Sequence, residues 1–216
     1  MSYKSLFPVL LVIISLQLIA QESPPFLEEV QAIKSRYLDG IPKQSYLFVG
    51  SSSIRFWKDI QQLDESKVIL NHGFGGSQTD DLIRYIDDLV LSQDPVKVFV
   101  YEGDNDIAKG KTTDEIVADF QLLITKIRAW KPSLPIVIIS PKPSISRANL
   151  RDKYEELNNA LNSLTSKYDQ LFFADVWTPM LDDEGQIRSD IFIEDNLHMN
   201  AKGYAIWSKV LLPFVN

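Results

Sequence analysis

"VKVFVYEGDNDIAKGKTTDEIVADFQLLITKIRAWKPSLPIVIIS", residues 96–140, contains two short apolar runs separated by a long segment with helical spacing. The runs at 96–102 and 135–140 are rich in Val, Ile and Phe with little alternation, as expected of strands covered on both faces. Between them, residues 112–130 read as a helix, opened by Thr112 and Glu115 at capping-box spacing. A strand, a helix and another buried strand in that order form a parallel crossover unit. The pattern extends in both directions. Further strands are expected at 46–50, 67–71 and 171–176, and further helices at 26–38, 80–93, 151–168 and 200–215. Five alternations predict an α/β protein: a five-stranded parallel sheet between two helical layers.

Composition bounds the function. The 216 residues are 45% hydrophobic and 24% charged, without repeats or low-complexity tracts, which suits one substantial domain. A net charge of -7 with no basic cluster argues against nucleic acid, whose binding depends on Lys and Arg neutralising phosphates. There is no cysteine, hence no disulfide, thiol nucleophile or cysteine-linked lipid. Residues 1–20 differ from the rest: Lys4 precedes an apolar stretch from Leu6 to Ala20, and "QESPP" follows. This reads as a cleaved export signal, with an uncleaved membrane anchor as the competing reading. The expected organisation is a signal at 1–20, a linker and helix at 21–45 and a single folded domain at 46–216. The protein is expected in the periplasm or outside the cell, touching membrane only through an uncleaved N-terminus.

In open parallel sheets, ligands bind outside the carboxyl ends of the strands. The segments expected there are "SSS" (51–53), "HGFGGSQ" (72–78), "GDNDI" (103–107), "PKPSISR" (141–147) and a long loop ending "EDNLHMN" (194–200). A serine hydroxyl needs a base to take its proton, and the base needs an orienting acceptor. Asp195 and His198, three apart, would share a face if their segment turns helically. The glycines of "GFGGSQ" can offer backbone N–H groups, and the Asn105 amide is a neutral donor suited to an oxyanion. Taken singly, each has a plainer reading: a helix-side acid, a surface histidine, a tight turn and an Asx turn.

Taken in order, "GSSSIRFW", "GFGGSQ", "GDND" and "DNLH" resemble the blocks of the SGNH, or GDSL-like, hydrolases. The resemblance implies a flavodoxin-like three-layer fold and a serine esterase acting on small-molecule esters of lipid, lysophospholipid or acetylated-sugar type, without metal or cofactor. It implies Ser52 as nucleophile, His198 as base and Asp195 as its orienter. The Ser52 and Gly76 backbone N–H groups and the Asn105 side chain would form the oxyanion hole. The family's usual Gly-Asp-Ser appears here as Gly50-Ser51-Ser52, so Ser51 stands where Asp is expected, and Ser51 and Ser53 remain alternative nucleophiles. That departure also leaves a non-catalytic carbohydrate- or lipid-binding domain as the alternative function. A third reading, a metal-dependent phosphodiesterase using Asp104 and Asp106 with Asp80 or Asp81, lacks a recognisable ligand spacing. His72 is expected to be non-catalytic, Trp57, Trp177 and Trp207 to be core, and Tyr101 and Glu102 to floor the site.

Overall fold

The computed structural model describes residues 23–37 and 40–215; the expected export segment and Leu38, the last residue of the expected first helix, lie outside them. In chain order the main elements are α1 (Leu27–Ser35), β1 (Ser45–Gly50), α2 (Ser52–Arg55), β2 (Val68–Gly73), α3 (Thr79–Arg84), α4 (Ile86–Leu89) and β3 (Lys97–Tyr101). There follow α5 (Asp104–Ala108), α6 (Thr113–Trp130), β4 (Ile136–Ile139), α7 (Arg151–Thr165), β5 (Leu171–Ala174) and α8 (Ala201–Val215). All strand pairings are parallel, in the order β2-β1-β3-β4-β5. Among the described residues, no helix is long and apolar enough to cross a membrane.

Alternation along the strands feeds two cores. Leu47, Val49, Val98, Val100, Ile136 and Ile138 point into one, with side chains of α1, α3, α4, α6 and α7. Phe48, Phe99, Tyr101, Val137 and Ile139 point into the other, with Trp57 and the Trp207, Leu211 and Val215 of α8. The Phe48 and Phe99 rings stack across β1 and β3 at 4.1 Å between centroids. Trp57 and Trp207 are core residues, as expected, and Trp177 is buried as well, stacked on Tyr154.

The single helix expected at 80–93 is divided. α3 ends at Tyr85, α4 follows, and a short 3-10 turn closes the segment at Leu91–Gln93. Tyr85 leaves helical geometry while its hydroxyl donates to the Pro25 carbonyl at 2.6 Å, a tertiary contact with no local signature. Thr112 caps α6 through a reciprocal box with Glu115, as the spacing indicates.

The strand order reverses between β1 and β3: the chain leaves β1 toward β2, then returns to the far side of β1. Such switch points open a crevice at the carboxyl edge of the sheet. The segments after β1, β2 and β3 all border it.

Candidate active site

β1 ends at Gly50, and the chain turns so that the Ser51 N–H donates to the Tyr101 carbonyl at 3.1 Å. Ser51 adopts an extended conformation as the N-cap of α2, and Ser52 begins the helix. Ser51 and Ser53 are each 2% exposed, whereas Ser52 is partly open to solvent. Burial thus distinguishes the three serines. The Ser53 carbonyl accepts from the Tyr204 hydroxyl at 2.9 Å, tying the turn to α8.

Ser52 Oγ lies 2.9 Å from His198 Nε2. On the far side of the ring, His198 Nδ1 lies 2.5 Å from Asp195 Oδ2. The Asp195–His198 segment is not helical. It is a tight bend in which Asp195 Oδ1 accepts from the N–H groups of Leu197 at 2.9 Å and His198 at 2.8 Å. An Asx-type turn therefore achieves the side-by-side placement expected of a helical turn. Partial burial opposes the charge on Asp195, but hydrogen bonds from the His198 ring and from the His198 and Leu197 N–H groups outweigh it and bring the pKa down to about 2. An ionised carboxylate only accepts, so Nδ1 carries the ring proton and Nε2 is left to accept from the Ser52 hydroxyl. The Phe56 ring meets the imidazole edge-to-face at 4.8 Å.

Gly76 sits at the open turn after β2 with φ 58°. Asn105 Nδ2 donates to Ser51 Oγ at 2.7 Å and to the Ser77 carbonyl at 2.9 Å. The Ser52 N–H also donates to Ser51 Oγ, at 2.6 Å. Two of the three expected oxyanion donors therefore meet at one oxygen, that of the residue replacing the family's aspartate.

Beneath Asn105 lies a buried polar cluster. Burial opposes the charge on Asp104, but Lys142, Arg147 and the hydroxyls of Tyr154 and Tyr101 hold its pKa below the ordinary carboxylate range. Asp106 accepts from the Thr79 and Gly103 N–H groups and from Lys111. The oxygens considered as metal ligands are thus engaged within the fold, and among the described residues no group of three or more His, Cys, Asp or Glu is placed to hold an ion.

A profile of the GDSL-like Lipase/Acylhydrolase family matches residues 49–206. The chain belongs to the GDSL-like lipase/acylhydrolase family. Membership places it among hydrolases. A search of curated proteins finds no match. Among solved structures, a protein from Streptococcus pneumonia provisionally described as a platelet activating factor is 26% identical, with TM-score 0.78 over 88% of this chain and 94% of its own. A GDSL-like lipase from Bacteroides thetaiotaomicron is 16% identical, with TM-score 0.71 over 87% and 96%. A variant of an acetyl xylan esterase from Geobacillus stearothermophilus is also 16% identical, with TM-score 0.67 over 82% and 96%. The last two show likeness of fold.

Several residues around this GDSL-like site carried no sequence signal of their own. Ser51, read as a departure from the family pattern, is the shared acceptor of two donors. Lys142 and Arg147 lie in "PKPSISR", a segment placed at the carboxyl edge from sequence without any residue being singled out. Lys142 Nζ donates to the Leu197 carbonyl at 2.7 Å, bracing the turn that carries His198. Tyr101 and Glu102 lie fully buried below the site.

Burial and the nearby Asp106 push the Glu102 carboxyl well above its ordinary range, although Ser77 Oγ donates to its Oε1 at 2.7 Å. Oε2 has no hydrogen-bond partner among the described residues. The folded protein thus holds this proton to higher pH than the unfolded chain does, so this group lowers stability as pH rises above the ordinary glutamate value. Glu102→Gln is expected to raise the thermal midpoint, by a margin that grows as pH rises from the ordinary glutamate value. Thermal unfolding of both proteins across that range checks it.

His72 is not part of the site. It is fully buried between the Leu89 carbonyl, 2.8 Å from Nδ1, and the Tyr37 hydroxyl, 3.2 Å from Nε2. Burial lowers its pKa from 6.5 to about 4. Between those values the unfolded chain binds a proton that the folded protein refuses, so stability falls as pH drops through that window. The loss from this residue is about 2 kcal/mol at pH 5. His72→Gln is expected to flatten that part of the acid dependence, read from urea midpoints at pH 7 and pH 5.

Proposed function

We propose that this hydrolase is a serine esterase that cleaves carboxylic esters through an acyl-enzyme, needing neither metal nor cofactor. The observation that carries the proposal is the 2.9 Å contact between Ser52 Oγ and His198 Nε2, made between residues 146 positions apart, with Asp195 behind the ring. Ser52 Oγ attacks the ester carbonyl while His198 Nε2 takes its proton. Asp195 holds the tautomer and stabilises the imidazolium that forms. The carbonyl oxygen, now negative, is met by the Gly76 N–H and by the Ser52 N–H and Asn105 amide, which exchange their bonds to Ser51 Oγ for bonds to it. His198 returns the proton to the departing alcohol, and water repeats the sequence to release the acid.

The substrate is an ester of the lipid, lysophospholipid or acetylated-sugar class; the names carried by similar structures, a GDSL-like lipase and an acetyl xylan esterase, fall within that range. Export through residues 1–20 belongs to the same proposal and is tested by the N-terminus of the mature protein. The test of function is turnover of a chromogenic acetate together with fluorophosphonate labelling, the adduct being located by peptide mass. Labelling at Ser52 with turnover is the expected result. No turnover and no adduct would favour a binding domain on the same fold.

A further inference from the structure

We infer that Arg147 is a positioning residue for the reaction: it fixes which end of the Asn105 amide faces the nucleophile. The role rests on the esterase reading, in which Asn105 is an oxyanion donor. An asparagine amide has one accepting and one donating end of nearly equal size, and only the donating end stabilises negative charge. A flip would turn Oδ1, a partial negative charge, toward the oxyanion. Arginine has five N–H donors and no acceptor, so the amide atom beside it must be oxygen.

In the structure Arg147 Nη2 donates to Asn105 Oδ1 at 2.9 Å, which turns Asn105 Nδ2 to Ser51 Oγ beside Ser52 and to the Ser77 carbonyl, an acceptor that favours the same orientation from the other end of the amide. The guanidinium is itself held. Its Nη1 donates to the Asp104 carbonyl at 2.9 Å and to the Asp104 carboxylate. One planar fork thus reads the backbone and side chain of Asp104 and the side chain of Asn105. The side chain is only 17% exposed. Arg147 also breaks from helical geometry within its own segment, at φ -122° and ψ 21°, so the chain bends where this residue sits. A cation on Oδ1 further polarises the amide and strengthens the Nδ2 hydrogen as a donor.

The test is a kinetic cycle on an ester that the wild type turns over, with active sites counted by fluorophosphonate titration. Arg147→Met removes the donor while keeping an unbranched stem. It is expected to lower kcat at least tenfold with KM little changed, because the oxyanion contact forms only in the transition state. The ceiling is the loss in Asn105→Ala, about a hundredfold to a thousandfold for one oxyanion donor. Arg147→Met is expected to cost almost nothing further in the Asn105→Ala background, and added guanidinium is expected to restore part of the loss only when Asn105 is present. Tyr154→Phe removes a different donor from Asp104 but leaves the amide's partner, so it is expected to lower stability and keep kcat per titrated site. If Arg147→Met does not fold, Arg147→Lys carries the same cycle, with a smaller loss that again disappears without Asn105. Equal losses in both backgrounds, or a rise in KM alone, would overturn the positioning role. Unlabelled wild type, or turnover independent of Ser52, would instead overturn the esterase reading and the role with it.

Discussion

Ser52→Ala is expected to lower ester turnover by about 10⁴-fold to 10⁶-fold and to abolish fluorophosphonate labelling, while the thermal midpoint shifts little. The size follows from what the hydroxyl does. In the proposed mechanism it supplies the bond-forming oxygen, and without it His198 and Asp195 have no nucleophile to activate, so the remaining rate comes from binding and the hydrogen-bond donors alone. The small effect on stability follows from position. Ser52 is partly exposed at the first turn of a four-residue helix, and among the described residues its hydroxyl bonds only to His198 Nε2. Its neighbours behave differently. Ser51 Oγ accepts from two donors and is buried, so truncating it disturbs the turn itself. Retained turnover or labelling in Ser52→Ala would place the nucleophile elsewhere.

Gly50→Ala is expected to cost more than about 4 kcal/mol and to leave little folded protein. Gly50 has φ 138°, a region that residues with a Cβ rarely adopt. A Cβ built there would lie 2.0 Å from the Tyr101 carbonyl oxygen. That oxygen cannot withdraw, because it accepts from the Ser51 N–H at 3.1 Å on the central pairing of β1 with β3. Relief requires β1 to separate from β3 just where the chain turns toward Ser52. Soluble yield and urea unfolding of Gly50→Ala beside wild type provide the measurement; a midpoint near that of the wild type would show that the turn accommodates a side chain.

The middle of the sheet was legible in the sequence because β1, β3 and β4 are covered on both sides and therefore written as uninterrupted apolar runs, "YLFVG" and "PIVIIS" among them; the edge strands β2 and β5 leave Val68 and Phe172 exposed and read less cleanly. The observed strands match those runs to within two residues at each end, consistent with the vagueness of strand ends. α2 and α5 went unread because four and five residues cannot display a helical period. The break at Tyr85 was hidden for another reason: it comes where the side chain bonds to Pro25, 60 positions earlier, and no local pattern records that contact. At the site, Ser52, Gly76, Asn105, Asp195 and His198 could be picked out because each stands in a short recognisable block. Arg147 could not. Its meaning lies in which atom of Asn105 it faces, and the two residues are 42 positions apart, beyond any local pattern.

The pairing of Gly50 opposite Tyr101 gives the sheet a further part to play. One residue of strand spans about 3.3 Å, more than the length of a hydrogen bond. Sliding β1 by a single step against β3 would therefore carry the Ser51 hydroxyl out of range of the Asn105 amide that follows β3, without altering either loop. The strands act as a ruler, and the spacing of the reacting groups is measured off in their interior. Lesions deep in the sheet, remote from any substrate, should then look like defects of chemistry as much as of folding.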